Sequence, residues 1–205
     1  MSILNVLLRA DQLLVAVDTL AEDALTGAPS AGAKLLLIPQ HNLVLATRGS
    51  AQFFLRIYEL TLQASFRANF TMEQLGRELG MVVDQLWPAY EKAAREARVA
   101  AEAIGAELVL GGWSSEGGGR MVATAYAKSV SGEPTRVQPL VGGLASPGDP
   151  LRGRKDSFDP ENVLEAGRLQ ADWLNRKSGR QVAGGRLFVA ALRQGHASIQ
   201  DLGGV

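Results

Sequence analysis

Apolar residues open the chain in two dense runs, residues 3–8 and 13–18, on either side of a polar turn at Ala10-Asp11-Gln12. Both runs are rich in Val, Leu and Ile and nearly continuous. This is the pattern of strands covered on both faces, and the short polar link makes them a hairpin. Residues 22–33 read as a loop, set by Thr26-Gly27-Ala28-Pro29-Ser30-Ala31-Gly32. Residues 34–38 and 42–47 form a second predicted hairpin, turning through Pro39-Gln40-His41.

The period then changes. Phe53, Phe54, Ile57, Tyr58, Leu60 and Thr61 recur at three and four, as an amphipathic helix requires, and Ser50 is its N-cap. Thr71 and Gln74 form the capping box of a second helix, which buries Leu75, Leu79, Val82, Val83 and Leu86. Pro88 is expected to end or kink it. Residues 89–104 continue or restart as an exposed helix, supported by Glu91 with Arg95 and stopped by Gly105.

Strands return at 107–113 and 120–128, across Ser114-Ser115-Glu116-Gly117-Gly118-Gly119, with a short third run at 136–141. Residues 142–157 read as a long loop. Asp159-Pro160-Glu161 opens a helix to about residue 177: a carboxylate cap, proline in the first position and acid in the first turn. Its inward positions are Val163, Leu164, Leu169, Trp173 and Leu174. Strands at 186–192 and near 197–201 finish the chain. Strand groups alternating with helices imply a layered α+β sandwich.

Composition narrows the function. The 205 residues suit one compact domain with a sizeable core. Basic and acidic side chains balance at 21 each, which removes a general attraction for nucleic acid or an anionic membrane. No cysteine is present, so disulfides and thiolate metal sites are excluded. The histidines are His41 and His196, with no second ligand beside either, so neither a metal nor a cofactor is expected. No apolar run reaches the ~18 residues that span a bilayer. The first run contains Arg9 and lacks the basic leader of a signal peptide, so a soluble cytoplasmic protein is expected.

The order of elements and several local patterns resemble the proteasome β-type and HslV-like subunits of the N-terminal nucleophile hydrolases. The patterns are Ala16-Val17-Asp18-Thr19-Leu20-Ala21 after the first hairpin, Lys34-Leu35-Leu36-Leu37-Ile38 in the third strand and Ala46-Thr47-Arg48-Gly49-Ser50 before the first helix. Thr71-Met72-Glu73-Gln74-Leu75 opens the second helix in the same manner. Ser2, Asp18 and Lys34 stand in equal steps of sixteen, the spacing of the family's nucleophile, acid and lysine. The resemblance implies a four-layer αββα sandwich. It also implies self-association into stacked rings, a peptide or amide substrate, and room for an ATPase or unfoldase partner.

The same resemblance assigns Ser2, Asp18, Lys34 and Gly49 as catalytic. Removal of Met1, favoured when the next residue is as small as serine, would put an α-amine on the residue that carries the hydroxyl. Such an amine is a suitable base near neutral pH. Lys34 would stabilise the alkoxide, Asp18 would hold Lys34, and the Gly49 N–H would meet the oxyanion. Support is expected from Asn175-Arg176-Lys177-Ser178-Gly179, where Asn175 replaces the family's carboxylate and Ser178 is kept. Gly142-Gly143-Leu144-Ala145-Ser146 lacks the matching serine of a second supporting turn, and Glu22 stands where a small hydroxyl residue is usual. Two other functions fit the same residues: a ring-forming structural subunit without catalysis, and an amidase acting on a small molecule.

Overall fold

The computed structural model describes residues 2–23, 26–32, 34–99, 104–116, 118–129 and 131–205. Two five-stranded antiparallel sheets face each other. The first has the order β10-β1-β2-β11-β12, built from β1 (Leu4–Leu8), β2 (Gln12–Asp18), β10 (Leu144–Ser146), β11 (Arg186–Arg193) and β12 (His196–Gly204). The second has the order β5-β6-β7-β8-β9, from β5 (Leu35–Ile38), β6 (Leu43–Gly49), β7 (Ala106–Ser114), β8 (Arg120–Lys128) and β9 (Arg136–Pro139). A third, two-stranded sheet pairs β3 (Leu20–Glu22) with β4 (Pro29–Ala31).

Alternation along the strands separates the cores. Leu4, Val6, Leu13, Val15 and Val17 meet Val44, Ala46, Val109, Met121 and Ala123 between the two large sheets. The opposite face of the second sheet, with Ile38, Leu45 and Leu108, packs under α1 (Ala51–Ser65) and α2 (Met72–Glu96). The opposite face of the first sheet, with Leu14, Ala16 and Val189, meets α3 (Pro160–Ser178).

The four-layer αββα sandwich expected above is not what forms. The architecture is rich in antiparallel sheet, with three sheets and three helices among the described residues, two helices over one large sheet and one over the other. The second half of the chain supplies only α3, while segments read as loop or short strand add β3, β4, β10 and a longer β12. These strands are short or exposed and carry no apolar alternation, so they form through ladder pairing rather than through a buried face of their own.

Helix starts follow the sequence more closely than helix ends. Ser50 Oγ accepts the Phe53 N–H and Thr71 Oγ1 accepts the Gln74 N–H, each satisfying a donor of the first turn. The Gln74 side chain bonds Glu78 instead of closing the capping box. Pro88 does not end α2, which runs through it to Glu96. Side chains on both sides of the proline pin the helix down. Asp84 accepts from Lys128 and Thr135, and Glu91 accepts from Ser131 and Arg95. The helix stops short of residue 104 because Arg98 enters the left-handed region at φ 59°. The expected helical positions 100–103 lie outside the described residues, and Gly105 serves elsewhere. Along α3, Val163 and Leu174 are buried as expected, whereas Leu169 is exposed and Gln170 takes an inward position.

Candidate active site around Ser2

The antiparallel register pairs Leu4 with Val17, so the chain entering β1 lies beside the end of β2. Ser2 stands just before β1, 5% exposed, and Asp18 ends β2, fully buried. Lys34 approaches from the other large sheet. Its carbonyl accepts the Thr47 N–H, which extends the β5–β6 ladder by one rung and fixes where the side chain starts. Lys34 Nζ lies 2.8 Å from Ser2 Oγ and 2.8 Å from Asp18 Oδ1. Its third proton goes to the Leu20 carbonyl. All three N–H bonds of an ammonium are therefore placed, two of them on the residues that the family resemblance named.

The electrostatics are those of a buried ion pair. Lys34 and Asp18 are 4% and 0% exposed. Burial lowers the Lys34 pKa from its ordinary value, and the Asp18 charge and hydrogen bond offset part of that shift. Asp18 also accepts the Ile3 N–H at Oδ1 and the Gly184 N–H at Oδ2, each at 3.0 Å. Three donors on one carboxylate fix its orientation. Ser2 Oγ accepts from Lys34, so its own proton is free to point elsewhere.

Gly49, at the end of β6, has φ 114°, and a Cβ there would lie 2.3 Å from the Gly105 carbonyl oxygen. Only glycine fits. Thr47 N–H donates to Lys34 and Ser50 N–H donates to Gly105. Ladder alternation therefore turns the Gly49 N–H away from β7, to the side of β6 from which Lys34 comes.

The two supporting residues have different surroundings. Asn175 Oδ1 accepts the Val182 and Ala183 N–H groups at 2.7 and 3.0 Å, and its Nδ2 donates to the Ala183 carbonyl at 3.0 Å. A carboxylate could not make that last bond. The amide thus belongs to the loop that carries Gly184 to Asp18. Ser178 Oγ is buried without a hydrogen-bond partner among the described residues.

Several residues escaped the sequence reading. Gly184 and Gly185 stand just before β11. Their φ values are 141° and 79°, and a Cβ on Gly185 would fall 2.6 Å from Thr19 Oγ1. The adjacent glycines were the available signal for a close backbone approach. At the same end of the sheets, Arg48 donates to Ser146 and Ser146 donates to Glu107, a polar link across the two sheets next to Gly49. Ser146 is paired with Leu4 in the β1–β10 ladder. Glu22 is taken up by Arg180 at 2.7 Å. His41 binds the Ser65 carbonyl. Among the described residues, no group of three His, Asp or Glu side chains is placed to hold a metal ion. No helix among them is long and apolar enough to cross a membrane.

Comparison of the sequence with protein-family models finds no match, and comparison with curated proteins finds none. Solved structures do match. One is Anbu (ancestral beta-subunit) from Yersinia bercovieri, with TM-score 0.66 and 16% identity over 99% of this chain and 87% of that one. Another is an Anbu (Gly-1) mutant from Hyphomicrobium sp. strain MC1, with TM-score 0.66 and 14% identity over 99% of this chain and 88% of that one. These neighbours correct the resemblance drawn from the sequence. They are Anbu proteins, a family distinct from proteasome β-type and HslV-like subunits. The motifs quoted above mark strand ends and helix starts, which families built on related frameworks share, so they could not separate one such family from another. At these identities the likeness is one of fold.

Proposed function

We propose that this chain is an amide hydrolase whose nucleophile is Ser2, activated by its own α-amine once Met1 has been removed. The observation that carries the reading is the contact of one buried ammonium, Lys34 Nζ, with Ser2 Oγ and Asp18 Oδ1 at 2.8 Å each. The reading is supported by the meeting of the three side chains that the family resemblance named.

In the proposed reaction the Ser2 α-amine takes the proton from Oγ as the oxygen attacks the substrate carbonyl. Lys34 stabilises the negative charge on Oγ, and Asp18 keeps Lys34 charged in spite of burial. The charge that develops on the carbonyl oxygen is met by the Gly49 N–H, a kind of contact worth about 3 kcal/mol in the transition state. The tetrahedral intermediate collapses to an ester on Ser2, and the leaving amine departs with the proton held by the α-ammonium. Water then attacks the ester and gives a proton to the α-amine, which passes it to the departing Ser2 Oγ as the carboxylic acid is released. No step needs a group from outside the chain other than substrate and water.

Self-association is part of the proposal, in line with the word subunit in the Yersinia neighbour's name. Stacked rings and an ATPase or unfoldase partner are finer versions of it, as is a cytoplasmic location. A second reading, a structural subunit without catalysis, is favoured by one observation. Asn175 spends its whole side chain on the 182–184 loop, so the support it gives to Ser2 is indirect. Hydrolysis of a panel of fluorogenic peptide amides separates the two. The catalytic reading requires turnover that disappears in Ser2→Ala while the fold and assembly persist. The structural reading requires equal, negligible turnover in both proteins with unchanged assembly.

A further inference from the structure

A cavity of about 220 Å³ lies between β1, β10, the turn at Asp149–Leu151 and the first turns of α3, and Ser2 does not line it. It has far more room than a single buried water needs, and less than the ~300 Å³ at which pockets for drug-sized ligands begin. Its lining includes the aliphatic side chains of Leu7, Leu14, Leu151 and Val163. Lys155 and Asp156 also line it, both exposed. Neither makes an ion pair or hydrogen bond among the described residues, although ten other acid–base pairs are formed on or near the protein surface besides the Lys34–Asp18 pair.

The remaining polar groups of the wall are already occupied. Arg154 bonds Glu165 at 2.6 Å. Asn5 and Gln170 exchange hydrogen bonds with each other. Asp159 accepts the Glu161 and Asn162 N–H groups, which closes the α3 N-terminus to an anion. Gly143 keeps the wall thin beside the acid, since a Cβ there would lie 3.2 Å from Asp156 Oδ2. What stays free is one cation and one carboxylate on consecutive residues that line the same cavity as the aliphatic side chains.

We infer that this cavity binds a free aliphatic α-amino acid, with Lys155 on its carboxylate, Asp156 on its ammonium and the side chain against Leu7, Leu14 and Val163. A plain anion would face Asp156 and a plain cation would face Lys155. An α-amino acid offers both charges one carbon apart, which suits groups on adjacent residues. A peptide separates its termini too far for that. This site is independent of Ser2 chemistry and stands whether or not the chain hydrolyses amides.

Isothermal titration of the full chain carrying Ser2→Ala tests it, with L-leucine, N-acetyl-L-leucine and L-leucinamide as probes. The expected result is saturable L-leucine binding at or below about 1 mM. Each single-charge analogue is expected to bind at least tenfold more weakly, and Lys155→Ala or Asp156→Ala to weaken L-leucine about tenfold. Both substituted positions are exposed, so their variants are expected to fold normally, and circular dichroism checks that they do. Three results would overturn the inference: no saturation by 10 mM L-leucine, analogues that bind as well as the zwitterion, or affinity unchanged in the two variants.

Discussion

Asn175 and Asp18 hold the two edges of one loop. Asn175 Oδ1 accepts the N–H groups of Val182 and Ala183, and the next N–H in the chain, that of Gly184, is given to Asp18 Oδ2. The position of the candidate acid therefore depends on an amide at the far end of α3.

Asn175→Ala removes three hydrogen bonds to backbone groups that are part-buried. The expected loss is about 2–3 kcal/mol, since each group left unpaired costs of order 1 kcal/mol. Asn175→Asp keeps both accepted bonds and loses only the donation to Ala183, so its loss is smaller, about 1 kcal/mol. Urea unfolding of the two variants measures the order.

Asp18→Ala leaves the Lys34 ammonium buried without its counter-ion and strips a partner from the Ile3 and Gly184 N–H groups. Breaking such a pair costs roughly 3–5 kcal/mol. Lys34→Met breaks the same pair from the other side. Combining the two is expected to cost less than the sum of the single losses, by 1 kcal/mol or more, because the second change no longer strands a charge. A double-mutant cycle in urea checks the coupling.

Gly49→Ala places a Cβ 2.3 Å from the Gly105 carbonyl oxygen at a φ of 114°. Strain alone costs of order 1–3 kcal/mol, and β6 must also move from β7. The variant is expected to unfold at clearly lower temperature, and calorimetry reads this directly.

The acid sensitivity of the fold follows from α2. Burial tends to raise the pKa values of Glu73 and Asp84. Hydrogen bonds from Ser114 to Glu73, and from Lys128 and Thr135 to Asp84, outweigh it and hold both carboxyls below their ordinary values. Both lowered carboxyls bind fewer protons in the folded chain than in the unfolded one. Their stabilisation is present above pH about 4 and is lost as pH falls through that value toward the native pKa values. Lys34 has the same sign at the alkaline end. Its lowered pKa makes stability rise with pH between the native value and the ordinary 10.5. Urea midpoints across pH measure both limbs, and Asp84→Asn is expected to flatten the acid one.

Strands β1, β2, β5, β6, β7, β8 and β11 were legible because each carries an apolar face or is apolar throughout. Strands β3, β4 and β10 were not: each is three residues long and none has a buried face, so their pairing is decided by the chain around them. Of the two effects expected of Pro88, ending the helix did not occur, and Lys128, Thr135 and Ser131 hold the helix from outside. At the site, the resemblance singled out Ser2, Asp18 and Lys34, and their side chains come together in the structure. Gly184 and the use of Asn175 were not legible, because backbone N–H groups leave no trace in residue type beyond the neighbouring glycines. The resemblance failed at the level of family because its motifs encode element boundaries, and the Anbu structures have the same framework with little identity.

The central claim is that Ser2 is a nucleophile with a free α-amine. Incubation with a β-lactone, followed by intact-mass and peptide mass spectrometry, tests it in one measurement. The account predicts a chain that has lost Met1 and gains one acyl group, located on Ser2, with no labelling in Lys34→Ala. A chain that begins at Ser2 with a free amine, and stays unmodified while a control serine hydrolase is fully acylated, would contradict it.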